Sequence, residues 1–332
     1  MTRLWFDPDL KGRFEEMGVD GTFPTVRNAL ESRKLLQGNV DPPKGFSVPE
    51  SIQMTVHNIS SYDGAEIQIY QFTPKHVLGL SAPQPALLHF HGGGLCTGMV
   101  DPYAGPGAAQ AALDLDMSIF AVEYRLVPEH PYPAPVEDCY ASLKWLSEHA
   151  TDINVDAARI GVWGVSAGGL LAAAVVLLAR DRKLEPPVAK QFLIYPMLDD
   201  RCSPRCDADK NSPERAQYLT GIRSMNDCSW DAYLNPKKRG DPDISIYASP
   251  ARATDLTNLP PAYIDVGCLD LLRDESLAYA TKLCSAGVDV EFHLYSGATH
   301  GFDLRAPDIP IALNAKENRN RSVRNMIARD TS

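Results

Sequence analysis

Gly164-Val165-Ser166-Ala167-Gly168 sets a serine between two glycines, after the apolar run Ile160-Gly-Val-Trp and before the apolar stretch Leu170 to Leu178. A strand that turns sharply into a helix needs small residues around the turn, and the turn leaves the serine hydroxyl exposed near the positive helix end. Such a hydroxyl attacks an acyl carbon when a base removes its proton. The five-residue pattern alone is short enough to arise by accident in a Gly-rich turn. A second motif upstream strengthens it. His91-Gly92-Gly93-Gly94 follows the apolar run Ala86 to Phe90. Attack on a carbonyl makes its oxygen negative, and only backbone free of side chains approaches closely enough to offer N–H groups to it. Two donors from Gly92, Gly93 and Gly94, with the nitrogen of Ala167, would form an oxyanion hole.

The serine needs an imidazole, itself oriented by a carboxylate. Of eight histidines, only His293 and His300 follow Ser166. His293 lies inside the alternating run Val288 to Tyr295, where a side chain points to one sheet face. His300 lies just beyond that run, in Ser-Gly-Ala-Thr-His-Gly-Phe, at the strand end where open α/β sheets place their sites. His300 is therefore the expected base. By the same argument Asp265 sits within the strand Ala262 to Val266, whereas Asp270 follows it and can reach the site. Asp274 and Glu275 read as the acidic first turn of the next helix. A helix cap is the competing role for Asp270.

These residues need strands that end together. Ile52 to Ile59 and Ala65 to Phe72 alternate about Ser-Tyr-Asp-Gly and read as an antiparallel hairpin. Short apolar runs follow at Ala86, Ser118, Ile160, Phe192, Ala262 and Val290, with helical stretches at Gly107 to Leu115, Pro135 to Ala150, Gly169 to Arg180 and Asp274 to Ala286. That alternation predicts an α/β fold with a mostly parallel sheet covered on both faces. Residues 1–48 are polar and weakly helical. The interval from Leu198 to Pro260 breaks the rhythm, with helices expected near Ser212 to Leu219 and Asp227 to Leu234. Long insertions at a sheet rim serve as lids or as solvated excursions. The basic stretch Lys316, Arg319, Arg321, Arg324 and Arg329 reads as the solvated face of a last helix.

Composition narrows the function. The chain has 332 residues, 44% of them hydrophobic and 22% charged, enough to build a sizeable core. With 32 basic and 42 acidic residues its net charge is −10, the wrong sign for nucleic acid. Ile160 to Ala179 carries no charge, yet its four glycines argue for strand, turn and helix over a membrane span. Seven scattered cysteines suit free thiols and a cytoplasmic protein, as does an N-terminus with early acids and no apolar h-region. Cys202 and Cys206 form a close pair with no second pair or nearby histidine, a poor metal site. Asn58-Ile59-Ser60 and Asn320-Arg321-Ser322 match the glycosylation sequon but mean little without secretion.

The His-Gly-Gly-Gly at 91–94, Tyr124-Arg-Leu-Val-Pro-Glu-His-Pro-Tyr-Pro-Ala, Glu137-Asp138, Gly-Val-Ser-Ala-Gly-Gly at 164–169, Tyr195-Pro196, Leu269-Asp270 and His300-Gly-Phe together resemble the hormonesensitive-lipase-like family of α/β-hydrolase carboxylesterases. The resemblance spans roughly residues 50 to 305. It implies an eight-stranded α/β-hydrolase domain over 49–332, a triad of Ser166, Asp270 and His300, and an oxyanion hole from Gly92, Gly93, Gly94 and Ala167. It also implies a cap built from residues 1–48 and an insertion at about 200–245. The family usually has Asp or Thr where Val165 stands and Pro where Leu271 stands. The expected activity is hydrolysis of small to medium hydrophobic esters through an acyl-enzyme. No metal or organic cofactor is needed; a homodimer is possible. The same triad could instead serve acyl transfer, lactone opening, or an elimination or cyclisation. Retention of a base argues against a ligand receptor that does not turn over.

Overall fold

The computed structural model describes residues 5–18, 24–37, 47–201 and 213–328. Eight strands form one sheet: β1 (Ile52–Ser60), β2 (Glu66–Pro74), β3 (Gln84–Phe90), β4 (Ser118–Glu123), β5 (Val155–Val165), β6 (Lys190–Ile194), β7 (Ala262–Gly267) and β8 (Val290–Tyr295). Their order across the sheet is β1-β2-β4-β3-β5-β6-β7-β8. The hairpin read from the sequence pairs antiparallel, Ile52 opposite Pro74 and Ser60 opposite Glu66, and β2 meets β4 antiparallel. All other neighbours are parallel. Parallel strands end on the same sheet edge, so the segments after β3, β5, β7 and β8 are brought together there. Because β4 lies on one side of β3 and β5 on the other, the chain reverses direction across the sheet at β3, the kind of switch point where such sheets open a crevice.

The helices are α1 (Pro8–Glu16), α2 (Ala29–Gln37), α3 (Gly105–Leu115), α4 (Ala134–Glu148), α5 (Ala167–Asp181), α6 (Pro213–Leu234), α7 (Arg273–Ser285), α8 (Phe302–Arg305) and α9 (Pro310–Ala328). Two apolar clusters fill the space above and below the sheet. One joins Leu88 and Phe90 of β3 to α4 and α5; the other joins Leu87 of β3 to Ala108 and Ala112 of α3 and to Val323 and Met326 of α9. Helix α5 is apolar on every side because it is enclosed on every side: Leu170 to Ala179 are all buried. That accounts for the charge-free stretch without a membrane. Among the described residues, no helix is long and apolar enough to cross one.

Two features differ from the sequence reading. The two helices expected in the interval after β6 are one continuous helix, α6; residues 202–212 of that interval, with Cys202 and Cys206, lie outside the described residues. The five described cysteines are free, in keeping with that reading. Second, Arg319 does not face solvent. Its Nε donates to Asp265 Oδ2 at 2.6 Å and an Nη to Asp265 Oδ1 at 3.1 Å, and it pairs with Asp303 as well. Arg321 and Arg324 do lie on the exposed side, and Arg329 lies outside the described residues.

Helices α1 and α2 dock in different places. Leu10 and Phe14 of α1 pack with Tyr295, Ala298, Phe302 and Ile309. Helix α2 lies against α6 and is tied to the loops after β3 and β4 by Arg33, which donates to the carbonyls of Cys96 (2.5 Å) and Val127 (2.7 Å) and pairs with Glu129.

Candidate active site

Ser166 sits between β5 and α5 with φ 56° and ψ −114°, a conformation a serine holds only when its surroundings enforce it. Its N–H donates to Ile194 O at 2.9 Å and its carbonyl accepts from Met197 N at 3.1 Å, which pins the turn to β6 and the loop beyond. The flanking glycines are required by contact. A Cβ on Gly164 would strike the carbonyl of Gly168, and one on Gly168 would strike the carbonyls of Phe90 and His91. Ser166 occupies the N-cap position of α5 without capping it, so its hydroxyl is directed elsewhere.

That hydroxyl meets His300. Ser166 Oγ lies 2.9 Å from His300 Nε2, and His300 Nδ1 lies 2.8 Å from Asp270 Oδ2. Asp270 is buried, and its Oδ1 accepts the Leu272 N–H at 2.9 Å. This second bond fixes the carboxylate plane, so one oxygen is presented to the imidazole. A carbonyl or carboxylate can only accept, so Nδ1 carries the proton and Nε2 is left to take one from serine. The ring of Tyr195 stands edge-on to His300, centroids 4.8 Å apart, and its hydroxyl donates to Asp303 at 3.1 Å.

The alternatives weighed in the sequence have other partners. His293 bonds Glu291 at 2.9 Å on β8. Asp265 is enclosed between Arg319 and the Tyr263 hydroxyl. Asp274 and Glu275 do open α7, but Glu275 is buried and accepts the Leu198 N–H at 2.6 Å, a tie between α7 and the loop after β6. Arg319, Asp265, Asp303 and Tyr195 thus form a buried polar chain that reaches the side of the His300 ring. Removing one member of a buried ion pair leaves its partner uncompensated. Arg319→Leu should therefore lower folding stability by about 3–5 kcal/mol, read as a fall in urea midpoint, with Arg319→Lys recovering part of the loss.

The glycine loop lies beside the serine. A Cβ built on Gly92 would come 3.5 Å from Ser166 Cβ, so the loop backbone is in contact with the elbow. Gly93 has φ 115° and Gly94 φ 62°, and a Cβ on Gly93 would strike the Thr97 carbonyl. The loop is braced from inside. Gly93 O accepts from the N–H groups of Cys96 and Thr97, Gly92 O accepts from His91 Nδ1 at 2.7 Å, and the His91 ring stacks on Tyr124. Burial lowers the pKa of His91 to about 4, with the bond to Gly92 opposing it, so this histidine is neutral and holds the loop. Ala167 is buried at the start of α5.

A cavity of about 440 Å³ opens over Ser166 and His300. Glycines 92–94 form part of its wall; Ser32 and Leu36 of α2 and Ile222 and Met225 of α6 form another part. Val165 and Leu271, the two positions that depart from the family pattern, both line it, so each departure changes an apolar wall.

A serine on a strained strand-to-helix turn, a carboxylate and an imidazole from beyond the ends of β7 and β8, and this sheet order define the α/β hydrolases. The model of the family described as "alpha/beta hydrolase fold" matches residues 87–304. The chain is 33% identical over 320 residues to "Carboxylesterase NlhH" of Mycobacterium tuberculosis, covering 93% of this chain and 92% of that one. It is 37% identical over 236 residues to "Esterase LipI" of the same organism, covering 70% of each. Among solved structures, "Bacterial Heroin Esterase" superposes with a TM-score of 0.81 at 33% identity, covering 98% of both chains. The chain belongs to the α/β-hydrolase family. Within that family it is a hormonesensitive-lipase-like carboxylesterase.

Proposed function

We propose that Ser166, His300 and Asp270 carry out ester hydrolysis, with Gly92, Gly93, Gly94 and Ala167 holding the oxyanion. The observation that carries this reading is the 2.9 Å approach of Ser166 Oγ to His300 Nε2, with Asp270 fixed behind the ring. Ser166 Oγ bonds the acyl carbon as its proton passes to Nε2. The carbonyl oxygen takes the negative charge beside the backbone N–H groups, and Asp270 stabilises the imidazolium. Collapse breaks the bond to the alcohol oxygen, which takes the proton from Nε2 and leaves. Water then attacks the acyl-enzyme by the same route, releasing the acid and restoring Ser166.

In this reading α2 and α6 form the cap. They pack on one another and both contribute to the cavity wall, which supports a cap drawn from within residues 1–48 and about 200–245 over a domain spanning 49–332. The substrate is a small-molecule ester. An apolar cavity of about 440 Å³ suits acyl and alcohol groups of small to medium size. The free thiols support a reducing, cytoplasmic setting. Hydrolysis of p-nitrophenyl esters from acetate to palmitate tests the size limit: kcat/KM should peak at short to medium chains and fall at palmitate. A maximum at palmitate would overturn it.

A further inference from the structure

Side chains alternate along β3. Ala86, Leu88 and Phe90 enter the cluster beneath α4 and α5, whereas Leu87 enters the one beneath α3 and α9. His89 has the parity of Leu87, so it belongs to the α3 side, between Ala121 of β4 and Trp163 of β5 in register. The cluster on that side is apolar, with Ile119, Ala121 and Phe192 among its members, and the histidine interrupts it. Burial, with the nearby His91 adding to it, lowers its pKa to about 3. The ring is neutral in the working range and has one N–H and one lone pair.

Nδ1 of His89 is enclosed and has no hydrogen-bond partner among the described residues. The ring nevertheless lines the cavity over Ser166, whose wall also includes Met99, Tyr103, Ala104, Val165 and, from α3, Gly107 and Ala108. Val165 supplies no polar atom to it. An unpaired buried N–H is less tolerable than an unpaired lone pair, so the enclosed Nδ1 holds the lone pair and Nε2 the proton. A leucine at this position would fill the same wall without leaving a polar group unpaired.

We propose that His89 is a specificity-determining residue, whose Nε2–H donates to an oxygen acceptor that the substrate carries away from the scissile ester. The preferred substrates are then esters with a second neutral oxygen, a ketone or an ether, in the chain that reaches the α3 side of the cavity. This inference rests on the reading of Ser166 as nucleophile, because that reading makes the cavity the substrate site.

The test compares matched esters. On the acyl side these are p-nitrophenyl hexanoate and its keto analogues with the carbonyl moved along the chain; on the alcohol side, butyl acetate and methoxyethyl acetate. In each enzyme kcat/KM of the oxygen-bearing ester is divided by that of its hydrocarbon partner. The wild type should favour the oxygen-bearing member on one side, His89→Leu should lower that ratio about tenfold, and His89→Gln should keep part of it. Because the polar group is unpaired in the free protein, His89→Leu should melt no lower than the wild type. Ratios unchanged on both sides, or a His89→Leu protein that fails to fold, would overturn the proposal. Ser166→Ala distinguishes the two readings: if it abolishes turnover while the His89 ratios do not move, only the specificity proposal falls, and if it retains turnover the nucleophile is wrong.

Discussion

Ser166→Ala is expected to lower kcat on any carboxylic ester by about 10⁴-fold or more, with KM and melting temperature little changed. The reasoning begins with the backbone. The turn at Ser166 is held by its bonds to β6 and by glycines that admit no Cβ, so removing one oxygen leaves the elbow in place. What disappears is the bond to the acyl carbon, and with it the only role His300 has as a base. His300→Ala should therefore cost about as much as Ser166→Ala, and the double variant little more than either, because the two act as a unit. A double variant whose loss equals the product of the single losses would show that they do not share a step. The measurement is kcat for the three variants on p-nitrophenyl acetate.

Asp270→Asn has the second-largest expected effect, about 10⁴-fold in kcat at neutral pH. The amide oxygen of the asparagine can still accept the Leu272 N–H, the bond Asp270 Oδ1 makes now, so the fold is retained. That orientation turns the amide NH₂ toward His300 Nδ1. Two donors cannot bond each other, so the imidazole moves its proton to Nε2, where it can no longer accept one from Ser166. Substrate binding does not depend on the tautomer. The loss should therefore appear in kcat and leave KM nearly untouched; a variant that instead raises KM and preserves kcat would assign Asp270 to the helix-capping role considered for it in the sequence.

Much of the site was legible because its residues follow strand ends in order. Strand, small-residue turn and helix around Ser166 gave its place directly, and the parity of His293 and Asp265 within their strands separated them from His300 and Asp270. The misreading of Arg319 has a physical origin. Its partner Asp265 is 54 residues away, on a strand that α9 crosses only in the folded chain, and no local pattern records that pairing. Helix α6 was divided in the sequence because Gly221, Ser224 and Asn226 weaken helix locally. In the fold Leu219, Met225 and Trp230 are buried, and tertiary packing outweighs propensity. The docking of α1 near β8 and α8 was equally out of reach, since Leu10 and Phe14 give an apolar face but not its partner. His89 was hidden for the opposite reason. It lies in an otherwise ordinary apolar strand, and only the cavity beside it gives its polarity a use.

The most direct measurement is covalent labelling. Incubated with a phosphoryl ester such as paraoxon, the wild-type protein should lose its esterase activity in step with gaining one diethylphosphoryl group per chain, located by peptide mass spectrometry on Ser166. His300→Ala should label far more slowly, since the hydroxyl then lacks its base. Inhibition with the adduct on another side chain, or full activity retained by a protein labelled at Ser166, would contradict the assignment of Ser166 as the attacking residue.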